Sequence, residues 1–217
     1  MAQAPPDVTP EIVNGDLTEA QLAVYLRAGE VAVDTETLGL NPLRDRLCVV
    51  QLCDRAGHAT MVQIQREDLA RPLPRAPHLV RLLEAPGVLK VLHFARFDTA
   101  TLRHHLGVRL APLYCTRTAS KLARTYTDRH GLKDCVQELL GIELDKASQR
   151  TDWASPDLKP EQVRYAIADV TLLLPLMDRL EAMLKREGRS TLARECFKAI
   201  PLMAELDLLG FAGLFEH

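Results

Sequence analysis

The 217-residue chain carries no surplus of positive charge: 27 Lys and Arg stand against 29 Asp and Glu, a net charge of −2. Tight, non-specific binding of long nucleic acid draws on a strong basic surplus, so the overall charge argues against that class. Long apolar runs are missing as well. None approaches the roughly 20 residues that a membrane-spanning helix requires, and no membrane partner is expected. The first residues, Met1-Ala-Gln-Ala-Pro-Pro-Asp7, have neither the basic flank nor the apolar stretch of a secretory signal. Residues 1–11 read instead as a flexible tail. The five cysteines, Cys48, Cys53, Cys115, Cys135 and Cys196, are odd in number and include no Cys-x-x-Cys pair. That spacing argues against structural zinc and fits buried free thiols in a reducing cytosol, hence a cytoplasmic protein. The adjacent His104 and His105 would point in two directions on a helix, a poor metal pair. Internal repeats and low-complexity stretches are absent.

The elements that are present begin with Thr18-Glu-Ala-Gln21, a capping box ahead of Leu22, which predicts a helix over 18–28 ended by Gly29. Three β-rich runs follow, 31–37, 46–53 and 58–64, separated by Gly39, Asn41 and Pro42 and then by Asp54 and Gly57. They read as an antiparallel meander. A proline-broken loop over 71–77 precedes a helix over 78–85 that Pro86-Gly87 stops. Residues 88–93 form a short apolar strand. Helices are predicted over 98–106, 115–124 and 132–140, the last closed by Gly141. Residues 146–158 look irregular. Pro160 fits a first helical turn, Pro175 would kink or split the helix it opens, and 188–209 is amphipathic. The pattern is that of an α/β or α+β domain, one sheet flanked by helices. The apolar end, 208–215, suits packing on a partner subunit or on its own domain.

Five residues in three blocks carry the chemistry. Asp34 and Glu36, in Val31-Ala-Val-Asp-Thr-Glu-Thr37, leave one face of a predicted strand. Carboxylates in mid-strand are unfavourable unless paired or metal-bound, although an edge strand would tolerate them. Asp98 follows the 88–93 strand at the start of a helix, as a ligand or as an N-cap. Tyr165 and Asp169 are one helical turn apart. Four converging carboxylates would make an oxygen cage for two Mg²⁺ or Mn²⁺ ions, suited to phosphodiester hydrolysis. A phenol of free pKa near 10 is a poor base and would orient the attacking water. Between Arg103 and Lys133 seven basic residues face Asp128 alone, either a solvated helix face or a phosphate-binding patch. Leu38-Gly-Leu40 is a turn whose leucines would wedge between nucleobases or plug the core.

The ordered set, Asp-Thr-Glu, a later aspartate after a strand, and Tyr-x-x-x-Asp on a late helix, resembles the tyrosine branch of the DEDD exonucleases, the ribonuclease D family. The histidine branch has a histidine five residues before the last aspartate, where this chain has Arg164. The runs 34–52, His93-Phe-Ala-Arg-Phe-Asp98 and 114–134 are further similar to the nanoRNase C family of short ribonuclease D relatives. The resemblance implies an RNase H-like (DnaQ-like) α/β fold with a central mixed sheet flanked by helices. It implies two divalent cations, Mg²⁺ or Mn²⁺, held by Asp34, Glu36, Asp98 and Asp169, with Tyr165 placing the water. It implies 3′-5′ removal of nucleotides from diribonucleotides, including the linear product of cyclic di-GMP turnover, and a homo-oligomeric octameric ring. Leu40 matches a base-wedge leucine, and His93 and Phe94 join it as substrate-binding candidates. Arg124, Arg129, His130 and Lys133 are expected to clamp a 5′ phosphate. The exonuclease domain is expected over 12–185 and a helical extension over 186–217, too short for an HRDC domain. The competing readings are a general trimming exonuclease for tRNA precursors, longer RNA or DNA, and an inactive nucleic-acid-binding scaffold.

Overall fold

The computed structural model describes residues 6, 8–73, 75–144 and 151–215. Its centre is a six-stranded sheet: β1 (Glu11–Asn14), β2 (Glu30–Thr37), β3 (Leu47–Cys53), β4 (Ala59–Gln63), β5 (Leu89–Leu92) and β6 (Leu113–Cys115), in the order β1-β4-β3-β2-β5-β6. β2, β3 and β4 form the predicted antiparallel meander, while β1 joins β4, and β5 and β6 join β2, in parallel. The mixed sheet with helices around it is the α/β architecture that the family resemblance implies. Every residue of β3 is buried, as befits a strand covered on both faces.

Two groups of helices cover those faces. α1 (Glu19–Ala28) keeps its capping box, with Thr18 accepting from the Gln21 backbone, and ends at the left-handed Gly29. Its Tyr25 hydroxyl donates to Thr60 Oγ1 at 2.8 Å, on the side of the sheet that also carries Val33 and Thr35. α2 (Arg66–Leu69) and α3 (Pro77–Glu84) lead to β5, and α4 (Ala95–Leu106) follows it. α5 (Thr116–Ala123) and α6 (Leu132–Leu140) come next; α6 has the predicted bounds and the predicted Gly141 cap. α7 (Pro160–Thr171) lies over β2 and β3, on the side of Asp34 and Glu36. α8 (Leu173–Arg186) continues it after a break at Leu172. Pro175 therefore sits in the first turn of α8, where a missing N–H breaks no helical bond. α9 (Ser190–Leu208) packs on α4 and β6 and is riveted to α4 by Arg96–Asp207 at 2.5 Å and Arg103–Glu205 at 3.2 Å.

Three expectations shift. Residue 11, assigned to the tail, begins β1. β6 and α2 were not anticipated. α4 starts at Ala95 behind Phe94, so Asp98 is its fourth residue and not its N-cap. Of the stretch 146–158, residues 146–150 lie outside the described residues, and 151–158 are turns and bends. No helix among the described residues is long and apolar enough to cross a membrane. All five cysteines are free thiols, four of them buried.

Candidate active site

Strand pleating sends Asp34 and Glu36 to the face that α7 covers, and α7 brings Tyr165 and Asp169 over them. Asp98 arrives from α4 on the other side: its Oδ1 accepts from Thr35 Oγ1 at 2.6 Å. The residue between the two β2 acids thus fixes the third. Asp34, Glu36 and Tyr165 line a cleft of about 560 Å³ together with Leu38, Leu40, Phe97, Thr151 and Trp153.

The electrostatics show that the acids share one environment. Burial first, and then Asp98, Glu36 and Asp169, raise Asp34 well above the ordinary carboxylate range. Burial, Asp169 and Asp98 push Glu36 up to about 9. Burial pushes Asp98 up to about 7 against the opposing hydrogen bond from Thr35. Tyr165 is raised by burial, by Asp169, Glu36 and Asp34, and by its hydrogen bond to Asp169, so the phenol keeps its proton. Like charges crowded in a dry site favour the protonated forms, and a cation placed among them would reverse that preference.

The donor set is all oxygen and all acidic, which suits Mg²⁺ or Mn²⁺. Among the described residues, however, no three His, Cys, Asp or Glu side chains are gathered tightly enough to chelate an ion as they stand. β2, α4 and α7 nevertheless bring Asp98 and Asp169 close enough to Asp34 and Glu36 to raise both carboxyls. The chemistry of the set therefore fits divalent cations, with closure left to side-chain torsions.

The remaining candidates divide. Leu40 is 86 % exposed and Leu38 is 52 % exposed at the cleft, so neither plugs the core. A Cβ at Gly39 between them would come 2.2 Å from the Asp45 carboxylate that accepts from the Asn41 N–H, so that carboxylate would have to move. Phe94 caps α4 with a left-handed φ of 63°, a strained setting for an aromatic residue, and the Arg117 guanidinium lies 4.5 Å over its half-exposed ring. Thr116 Oγ1 donates to Leu92 O, so it accepts from His93 Nδ1 at 2.9 Å. Burial and Arg117 lower His93 to about 3, which keeps the ring neutral.

The expected phosphate clamp is corrected at one residue. Arg124 is fully buried, and its guanidinium donates to Glu138, to Ser120 Oγ at 2.9 Å and to Arg129 O at 2.8 Å. Its charge serves the junction of α5 and α6, where it is paired with Glu138 and shut off from solvent. Arg129 is exposed and paired with Asp134 at 2.6 Å, His130 Nδ1 meets Ser120 Oγ at 2.9 Å, and Lys133 is half-buried on α6. Arg124→Met should lower the melting temperature by roughly 5 °C, since charged hydrogen bonds contribute about 1.5–3 kcal/mol. Turnover per folded molecule should stay near the parent value. Differential scanning calorimetry beside an activity assay checks both, and lost turnover without lost stability would return Arg124 to the clamp.

Three polar contributors escaped the sequence reading. Gln51 stands directly across the ladder from Asp34, fully buried, with both amide atoms unpartnered. Trp153 and Gln162 lie on and under the cleft wall. A glutamine inside an otherwise apolar strand, and a lone tryptophan in an irregular stretch, were the signals available.

The chain is similar to known proteins of one family. A family described as 3′-5′ exonuclease matches residues 11–185. Ribonuclease D of Acidiphilium cryptum is 38 % identical over 183 residues, 83 % of this chain and 45 % of that protein. The chain thus spans a little under half the length of the curated relatives it matches. Brucella melitensis NrnC bound to pGG superposes with a TM-score of 0.88 at 45 % identity, covering 97 % of this chain and 100 % of that one. Brucella melitensis NrnC with bound Mg²⁺ does so at 0.88 and 43 %, with the same coverage. The chain belongs to the 3′-5′ exonuclease family, as a ribonuclease D homologue with the architecture of NrnC.

Proposed function

We propose that this chain is a divalent-cation-dependent 3′-5′ exoribonuclease whose substrates are very short RNAs, above all 5′-phosphorylated diribonucleotides such as pGpG. One observation carries the reading: Asp98 and Asp169 lie close enough to Asp34 and Glu36 to raise both carboxyls, beside a cleft that Asp34, Glu36 and Tyr165 line. The pGG and the Mg²⁺ of the NrnC structures support the substrate and cation classes. The cleft falls within the ~300–1,000 Å³ that encloses small ligands, and the near-zero net charge offers little hold on long RNA.

In this reading Asp34, Glu36, Asp98 and Asp169 would hold two Mg²⁺ or Mn²⁺ ions, which would supply Lewis acidity toward the phosphate and lower the pKa of the attacking water. The chain's own residues do the rest. Tyr165 keeps its proton and orients the water by donating and accepting hydrogen bonds. Leu40 and Leu38 wedge against the bases by contact alone, without sequence preference. His93 and Phe94 border the same end of α4. Arg129, His130 and Lys133 remain the candidates for the 5′ phosphate, across a subunit boundary if the chain forms the octameric ring that the family resemblance implies. The exposed Leu209, Phe211, Leu214 and Phe215 supply an apolar surface for such assembly. The free thiols suit a reducing cytoplasm.

The test compares 5′-labelled RNAs of two and seven nucleotides in Mg²⁺, Mn²⁺ or chelator. The dinucleotide should be cleaved at least tenfold faster, and chelator should stop both reactions. Equal or faster cleavage of the longer RNA would make the chain a general trimming exonuclease.

A further inference from the structure

Trp153 is the single tryptophan of the chain and is 2 % exposed, yet it lines the active-site cleft. A ring so buried offers no face to a nucleobase. What it touches is Tyr165, at 6.2 Å between centroids and 41° between planes, a tilted aromatic pair. Its own segment is pinned from two directions. From α7, one turn before Tyr165, Gln162 Nε2 donates to Thr151 Oγ1 at 3.0 Å and to Asp152 O at 3.1 Å, while its Oε1 accepts from Lys159 N at 2.9 Å. From β4, Gln63 Nε2 donates to Pro156 O at 3.1 Å. Gln162 is 3 % exposed and Gln63 is 5 % exposed, so these are buried amides committed to one loop. Irregular backbone seldom receives such anchoring unless its placement matters.

We propose that Trp153, with Gln162 as its anchor, is a positioning residue for Tyr165. It backs the phenol ring so that the hydroxyl stays between Asp169 and the cleft. A tyrosine on a helix surface is free to turn about χ1, and the indole closes the side toward which it would turn. The inference rests on the reading of Tyr165 as the residue that orients the water.

Kinetics on a 5′-phosphorylated diribonucleotide in Mg²⁺ test it, with thermal melting to establish folding. Trp153→Leu should lower kcat by about 10²-fold, the scale of an ångström-sized misplacement. KM and the Mg²⁺ concentration for half-activity should stay within about twofold of the parent, a split that general loosening of the fold would not produce. Trp153→Phe should restore most of the rate. Adding Trp153→Leu to Tyr165→Phe should cost nothing further, since both remove one function. Should Trp153→Leu fail to fold, Gln162→Met, which leaves the indole and frees its loop, carries the same expectation. A folded Trp153→Leu or Gln162→Met with parental kcat, or losses that multiply in the double variant, would overturn the proposal alone. A Tyr165→Phe with parental turnover would overturn the reading of Tyr165 and this proposal with it.

Discussion

Asp98→Asn is expected to slow hydrolysis by about 10³-fold while raising the melting temperature in chelator. The first half follows from charge. A carboxylate that helps hold the cations supports several kcal/mol of charge stabilisation in the transition state, and at 1.36 kcal/mol per tenfold its loss lowers turnover by about 10³-fold. The second half follows from burial. Asp98 is 3 % exposed and its pKa is pushed up to about 7, so its ionised form is disfavoured in the fold. Asn keeps the Oδ1 that Thr35 donates to and removes the charge. The pH dependence has a definite sign. Asp98 rises from 3.8 to about 7 and Glu36 from 4.5 to about 9, so the folded chain holds protons that the unfolded chain has released. The stability from this source is complete below about pH 4. It drains away as pH rises through about 7 for Asp98 and about 9 for Glu36. The gain from Asp98→Asn should therefore be large at pH 8 and vanish near pH 4. Saturating Mg²⁺ should invert the trend in the parent, because cations bind the ionised carboxylates. Melting curves at both pH values, with and without Mg²⁺, decide the matter; a variant no more stable than the parent at pH 8 in chelator contradicts the electrostatic account.

How much of this was legible depended on whether the signal was local. Thr18 and Gln21 announce α1 through bonds three residues apart, and Gly141 announces the end of α6 through its left-handed conformation. The meander showed in three β-rich runs divided by turn residues. β1 and β6 are edge strands of four and three residues, defined by pairing with strands far off in sequence, and so short a run has no usable period. The start of α4 was misplaced because Phe94 adopts the left-handed conformation where an aspartate cap was the simpler expectation. The charge of Arg124 was readable and its direction was not: whether a guanidinium points to solvent or into a junction depends on Glu138 and Ser120, which only tertiary packing brings together. The acids were legible as an ordered set through family resemblance, but the facing of Asp34 and Asp98 is supplied by Thr35 and the crossing of β2 with α4. Gln63 and Gln162 were invisible for the same reason, since a buried amide is recognisable only once its partners are in place.

Tyr165→Phe is expected to slow hydrolysis by about 10²–10³-fold with the fold intact. Phe keeps the ring that packs against Trp153 and deletes only the hydroxyl. Burial and three neighbouring carboxylates raise the phenol and favour its protonated form, which argues for a hydrogen-bonding role over that of a general base. Its contribution must come from a fixed hydrogen-bonding group, and removing one such preorganised group typically costs that factor. Two readouts separate this role from a proton-transfer role. The pH–rate profile of the variant should keep the shape of the parent, merely displaced downward, because no titrating group has been removed. KM for the diribonucleotide should also hold, since the hydroxyl acts on the water and not on the substrate. A profile that loses its alkaline or acidic limb would show that Tyr165 carries a proton in the reaction. A rise in KM at unchanged kcat would move the hydroxyl from the water to the RNA, and the five residues would then have to be divided differently between binding and chemistry.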